Sequence, residues 1–101
     1  MSLSFERELG NLLKTGRYVI GSRKGLKALM RGEAKMVILA SNAPPEVRKR
    51  AEYYARLAGV PVYVFRGTNI DLGVVAGKPF RISMIVVLDE GSSRILELSS
   101  S

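Results

Sequence analysis

Four places along this chain hold residue types that can grip an anion or a base edge. In Gly21-Ser22-Arg23-Lys24-Gly25, an apolar run stops at a glycine and a hydroxyl, and two cations follow at once. Leu26, Leu29 and Met30 then repeat at helical spacing until Gly32 stops them. A helix start exposes unpaired backbone N–H groups and the positive end of its dipole, so Arg23 and Lys24 add like charge to it. That placement is locally unfavourable unless an anion docks there, phosphate being the obvious candidate. Lys27 lies one helical turn on and extends the patch. Asn42 follows a second apolar run and brings an amide that suits a base edge, and Arg66 follows a third. The last stretch, Gly77-Lys78-Pro79-Phe80-Arg81-Ile82, sets an apolar ring beside an arginine between glycine and proline. Two readings stay open for it. Either the ring and guanidinium contact an unstacked base, or Phe80 plugs the core and Arg81 is solvated.

These stretches need elements to hold them. Phe5, Leu9, Leu12 and Leu13 form an apolar stripe at helical spacing that ends at Lys14 and Gly16. Residues 17–20 read as a strand and 23–31 as a second helix. Met36-Val37-Ile38-Leu39-Ala40 is continuously apolar, as in a central strand covered on both faces. Pro44-Pro45 opens a third helix, since proline fits the first helical position. Its inner face is Val47, Ala51, Tyr54, Ala55 and Ala58, which makes Tyr54 a core residue and leaves Tyr53 at the helix edge. Glu46 and Glu52 are expected to pair with Arg50 and Arg56 on its outer face. Gly59 ends that helix, and Val62-Tyr63-Val64-Phe65 is a third strand. Thr68-Asn69-Ile70-Asp71 resembles a capping box opening a short fourth helix that ends near Gly77. Residues 82–88 read as a fourth strand and 94–98 as a short edge strand, before a frayed Ser99-Ser100-Ser101 tail. Alternating helices and strands with short links predict an α/β fold: a three-layer α/β/α sandwich around a mixed four-stranded sheet. In such folds ligands gather at the carboxyl ends of the strands. Parallel strands would bring Arg23, Lys24, Asn42 and Arg66 to one rim. An antiparallel last strand would start at that same rim and add Phe80 and Arg81.

The chain has 101 residues, 47% hydrophobic and 25% charged, which suits one domain with one modest core. Sixteen Lys and Arg against nine Asp and Glu give a formal net charge of +7, which favours a polyanionic partner. Cysteine and histidine are both absent. That excludes disulfides, thiolate metal sites and the usual general base near neutral pH. The remaining carboxylates, lysines, tyrosines and hydroxyls show no convincing catalytic pairing, so no enzyme, cofactor or small-molecule substrate is expected. The glycine spacing of 21–25 is not that of a Walker phosphate loop. No apolar run reaches membrane-spanning length, and the first residues carry no leader pattern, so no membrane association is expected and a cytoplasmic location is.

The same residues resemble a known family. Gly21-Ser22-Arg23-Lys24-Gly25-Leu26-Lys27, then Asn42-Ala43-Pro44 with Glu52-Tyr53-Tyr54-Ala55, then Asp71-Leu72-Gly73 with Gly77-Lys78-Pro79-Phe80-Arg81, have the order and spacing of the large-subunit ribosomal protein family "L thirty-e" of archaea and eukaryotes. The resemblance runs over residues 5–98. It implies an α/β/α sandwich of the kink-turn RNA-binding superfamily, sitting in the large ribosomal subunit on ribosomal RNA, with residues 1–101 as one RNA-binding domain. It further implies that Gly21 lets the backbone approach RNA beside Ser22. Arg23, Lys24 and Lys27 would meet phosphates or guanine edges, and Asn42 would hydrogen-bond in the kink. Phe80, Arg81 and Ile82 would form an apolar and cationic platform, next to Lys78. Many kink-turn binders carry Asn-Glu where this chain has Arg23-Lys24, a difference that favours the ribosomal branch. Val74 stands where the family usually has a smaller or hydroxyl residue. Two other readings of the basic rim are a non-ribosomal kink-turn protein of an RNA-processing particle and a module for an acidic protein partner.

Overall fold

The computed structural model describes residues 3–99. Four helices, α1 (Phe5–Thr15), α2 (Ser22–Met30), α3 (Pro45–Ala58) and α4 (Asn69–Val75), alternate with four strands, β1 (Arg17–Ile20), β2 (Met36–Ala40), β3 (Val62–Phe65) and β4 (Met84–Asp89). The strand order is β1-β4-β2-β3. β2 and β3 are parallel, and β4 runs antiparallel to both β1 and β2. The first three strands therefore point one way, and the last is inserted between them pointing back. Every residue of β2 is buried, as its unbroken apolar run requires.

Alternation along the strands divides the core in two. Met36, Ile38, Ala40, Ile85 and Val87 pack under α1 and α4. Val37, Leu39, Met84 and Val86 pack under α2 and α3 on the opposite face. The result is the three-layer α/β/α sandwich. Gly25 sets how closely α2 lies on the sheet: a methyl group there would stand 2.9 Å from a Val86 methyl. Pro45 occupies the first turn of α3 and Gly59 closes it in the left-handed conformation.

Residues 94–98 differ from the expected edge strand and coil as a 3-10 helix, Ile95–Ser99. The reason is Glu8. Its carboxylate accepts the Arg94 N–H at 2.7 Å, and the Ser93 hydroxyl accepts the Ile95 N–H at 3.1 Å, so those donors are withdrawn from any ladder. Ser93 also donates to the Glu8 carbonyl at 2.7 Å. Ile95 is thereby pulled fully into the core over α1. The Arg94 N–H holds the buried Glu8 carboxyl below the ordinary glutamate range against the opposing effect of burial, with Asn11 and Ser93 adding to the lowering. The expectation of a frayed tail concerns Ser100 and Ser101, which lie outside the described residues; Ser99 ends the 3-10 helix.

Candidate nucleic-acid interface

Because β4 is antiparallel, its start lies beside the ends of β1, β2 and β3, and four loops meet at one end of the sheet. Backbone hydrogen bonds lace them together. Gly21 N–H donates to the Met84 carbonyl at 3.0 Å, and Ala40 N–H to the Ser83 carbonyl at 2.9 Å. The Ser41 N–H and hydroxyl both donate to the Gly67 carbonyl, at 3.0 and 2.9 Å. Ile82 N–H donates to the Asn69 carbonyl at 3.0 Å. This last bond explains why β4 begins at Met84 rather than at residue 82: the Ile82 donor faces α4 and not a strand.

Asn42 completes the lacing with its side chain. Its Oδ1 accepts the Asn69 N–H at 2.7 Å, at the start of α4. Only the oxygen can face that donor, so the amide orientation is fixed and the NH2 group is turned elsewhere. That NH2 group makes no hydrogen bond among the described residues. Thr68 caps α4 in a full capping box with Asp71, as its spacing implies. Asp71 is thereby engaged with the Thr68 N–H and hydroxyl, at 2.9 and 3.1 Å, and is not offered to the neighbouring cations.

On the β1 side, Gly21 holds φ 112°, a conformation an L side chain resists, and no side chain caps α2. The helix begins at Ser22, one residue earlier than the periodicity implies. Arg23, Lys24 and Lys27 are exposed on its first turns, and Arg66 is exposed at the exit of β3. Three ion pairs occur among the described residues: Lys35–Glu90 at 3.2 Å, Arg48–Glu52 at 3.5 Å and Arg94–Glu97 at 2.9 Å. None involves Arg23, Lys24, Lys27, Arg66, Lys78 or Arg81. The expected pairs of Glu46 and Glu52 with Arg50 and Arg56 do not form: Glu52 turns toward Arg48 one turn earlier, and Glu46 is in no ion pair among the described residues.

The loop before β4 resolves the two readings of Phe80. Phe80 is 53% exposed, so it does not plug the core. Its backbone is seated on Gly73 of α4, where a methyl group would collide with the Phe80 carbonyl. Lys78 N–H donates to the Gly73 carbonyl at 2.9 Å and pins the other end of the loop. Ile82 is corrected from the expected platform: its side chain is 1% exposed and packs in the core with Leu72. The exposed apolar surface beside Phe80 comes instead from Ile70 and Val74, 51% and 71% exposed, which line a cleft of about 340 Å³ with Lys78, Pro79 and Arg81. The sequence singles out Val74 only as a departure from the family's usual residue and places Ile70 only within the capping box. Their spacing of four on a capped helix is the available signal. Tyr53, expected to pack at the helix edge, is exposed, while Tyr54, expected in the core, is only half-buried and meets the Tyr53 ring edge-on at 5.2 Å.

The rim can thus offer cations to phosphates, an oriented amide to a base or sugar, and an apolar ring to a base face. No group of three or more acidic side chains could hold a metal among the described residues, and no helix is long and apolar enough to cross a membrane.

Comparison with known proteins places this architecture. A protein of Aeropyrum pernix named "Large ribosomal subunit protein eL30" is 52% identical over 95 residues, covering 94% of this chain and 95% of its own. Proteins of the same name from Saccharolobus solfataricus and Pyrobaculum neutrophilum are 43% and 47% identical over 96 residues. They cover 95% of this chain and 89% and 95% of their own lengths. A solved structure from Bacillus halodurans, described as a protein with unknown function, superposes with a TM-score of 0.82 at 28% identity over 96% of each chain. The model of the family described as "Ribosomal protein L7Ae/L30e/S12e/Gadd45 family" matches residues 4–97, and with these relatives over nearly its full length the chain belongs to that family.

Proposed function

We propose that the chain is a structural, non-enzymatic constituent of the large ribosomal subunit, located in the cytoplasm. Residues 1–101 act as one domain that binds ribosomal RNA at a kink-turn-like internal loop. Family membership and the name its relatives share support the ribosomal assignment. The observation that carries the RNA contact is Asn42. Its oxygen is tied down by Asn69, its NH2 group remains available as a donor, and the loops at the same end of the sheet carry exposed cations outside any ion pair among the described residues.

In this reading Arg23, Lys24, Lys27, Arg66, Lys78 and Arg81 neutralise backbone phosphates, which supplies much of the affinity and makes it fall steeply with salt. The φ of Gly21 keeps the loop backbone free of a side chain, so RNA can approach Gly21 and Ser22 closely. Asn42 reads the kink, and the exposed Phe80 ring stacks on an unpaired base. The rim is laced before RNA arrives, so little of the binding energy is lost in ordering it. Holding the bend stabilises the assembled RNA without any cofactor.

The test is binding of the purified chain to a kink-turn RNA and to a straight duplex of equal length. A clear preference for the bent RNA, reduced by Asn42→Ala, is expected. Equal affinity for both RNAs overturns the reading. Crosslinking in cell extract followed by sequencing of the attached RNA separates ribosomal RNA from the guide RNA of a processing particle. Capture of an acidic protein with no RNA would favour the protein-interaction reading.

A further inference from the structure

The charged surface does not stop at the rim. A groove of about 310 Å³ runs from it between α2 and α3, with Arg23 and Lys27 on the α2 wall and Arg50 on the α3 wall. Leu26 and Val47 form its apolar floor, and Glu46 lies on the α3 side of its mouth. Arg23 and Lys27 are one helical turn, about 6 Å, apart along the axis. All three cations are exposed, and none is within ion-pair range of a carboxylate among the described residues. Arg50 therefore does not stabilise α3 through Glu46, although the two stand four residues apart. Further along the same two helices a second cleft, which shares Met30 with the first, has Met30, Tyr54 and Leu57 in its walls.

We infer that this groove seats the phosphate backbone of the RNA stem flanking the bent loop, with Arg50 as a phosphate contact facing Arg23 and Lys27 across it. The inference rests on the proposed RNA-binding function and extends its footprint by one helix. Two walls of like charge leave a backbone strand held from both sides, and the apolar floor suits the less polar face of the riboses. A net excess of two positive charges in the groove, three cations against Glu46, selects a polyanion. Glu46 can accept a hydrogen bond from a 2′-hydroxyl at the mouth. The track ends at the second cleft, whose walls are apolar, so the stem contact is confined to the groove next to the rim.

The experiment compares two kink-turn RNAs, one with a full flanking stem and one with that stem cut back to the loop, against wild type, Arg50→Ala, Arg50→Lys and Leu57→Ala. One phosphate contact corresponds to a salt slope of about 0.7–0.9, which is roughly a five- to eight-fold affinity difference at 0.1 M salt. Arg50→Ala is expected to weaken the full-stem RNA by that factor and flatten its salt slope by about one contact, leaving the cut-back RNA unchanged. Arg50→Lys retains binding and Leu57→Ala has no effect. Arg50 is exposed and unpaired, so the melting temperature of Arg50→Ala stays at the wild-type value. If wild type prefers bent RNA but Arg50→Ala binds both RNAs as wild type does, the groove is off the RNA path and only this inference fails. It fails in the same way if Arg50→Ala weakens both RNAs equally. If wild type shows no preference for bent RNA, the underlying functional reading fails and takes this inference with it. An acidic peptide that competes at the groove while RNA binding ignores Arg50 would overturn the assignment to RNA.

Discussion

Asn42 has two jobs that one substitution can separate. Its Oδ1 accepts the Asn69 N–H at 2.7 Å, a structural bond, while its NH2 group faces away as the donor proposed for RNA. Asn42→Asp has nearly the same shape, keeps an oxygen for Asn69 and removes the donor. For the free protein the balance is small. A carboxylate near the start of α4 gains about 0.3–1 kcal/mol from the helix end, and the charge-assisted bond to Asn69 is shorter and stronger. Asp71, already held at that helix start, repels the new charge by a comparable amount. The net change in stability is expected within about 1 kcal/mol of zero, a shift of no more than roughly 4–8 °C for a domain this size. For the complex the balance is large and one-sided. An RNA acceptor left unpaired costs about 1–3 kcal/mol, about a 5- to 150-fold loss of affinity, and the added negative charge repels phosphate as well. Asn42→Ala, by contrast, removes both roles, and is expected to lower stability by about 0.5–1.5 kcal/mol along with affinity. The assay pairs thermal melting with titration of kink-turn RNA for wild type and both variants. Asn42→Asp binding within twofold of wild type would falsify the donor role. Asn42→Asp melting well below Asn42→Ala would refute the account of the Asn69 bond.

Removing Lys24 with Lys24→Ala should flatten the dependence of RNA affinity on salt by about 0.9 in the logarithmic slope, one phosphate's worth; an unchanged slope in the same titration removes Lys24 from the contacts. In Gly73→Ala, the gain in helix propensity of about 1 kcal/mol is opposed by overpacking of about 1–3 kcal/mol against the Phe80 carbonyl. The variant should therefore unfold at lower denaturant and bind RNA less tightly, and a more stable variant with unchanged affinity shows the 78–81 loop to be soft. Glu8, Glu90 and Glu97 all have lowered carboxyl pKa values in the folded chain. Their stabilisation is complete above the ordinary glutamate value and is lost as pH falls through the lowered ones, so the melting temperature should drop in acid. Glu8→Gln, which keeps an acceptor for the Arg94 N–H, should make that acid limb shallower, and an unaltered limb means the Glu8 charge contributes nothing.

What was legible in the sequence followed from patterns that local physics enforces. β1, β2 and β3 have the predicted bounds because each is a short apolar run ended by glycine, proline or a polar turn. The capping box of α4 was readable because both partners lie within four residues. The rim was readable because strand direction alone brings the four loops together. Two misreadings share a different cause, a long-range hydrogen bond that no local pattern carries. Residues 94–98 read as a short edge strand, yet a carboxylate 86 residues away takes the Arg94 donor. Ile82 stands beside Phe80 and Arg81 in sequence, yet its N–H is bound to Asn69 and its side chain turns into the core. Helical spacing matches Arg50 to Glu46, but spacing says only that two side chains can meet, not that they do.

The charge distribution follows from the same topology. Lys35 precedes β2 and Glu90 follows β4, so antiparallel insertion of β4 brings them together at the end of the sheet away from the rim. Glu97 and Arg94 pair beyond that strand end as well. The acids near the rim are either absorbed in a cap, as Asp71 is, or lie in the groove, as Glu46 does. At physiological salt, charges closer than about 8 Å still interact, so cations crowded on one rim without partners repel one another in the free protein. Pairing them with acids at i+4 would remove that repulsion at no cost to the fold, and the α3 pair Arg48–Glu52 shows that the chain can do so. Repulsion that is relieved only when an external polyanion arrives favours the bound state over the free one. It does so whichever phosphate lies against which cation, so in the proposed function the fixed amide of Asn42 and the exposed ring of Phe80, and not the cations, would decide which RNA is held.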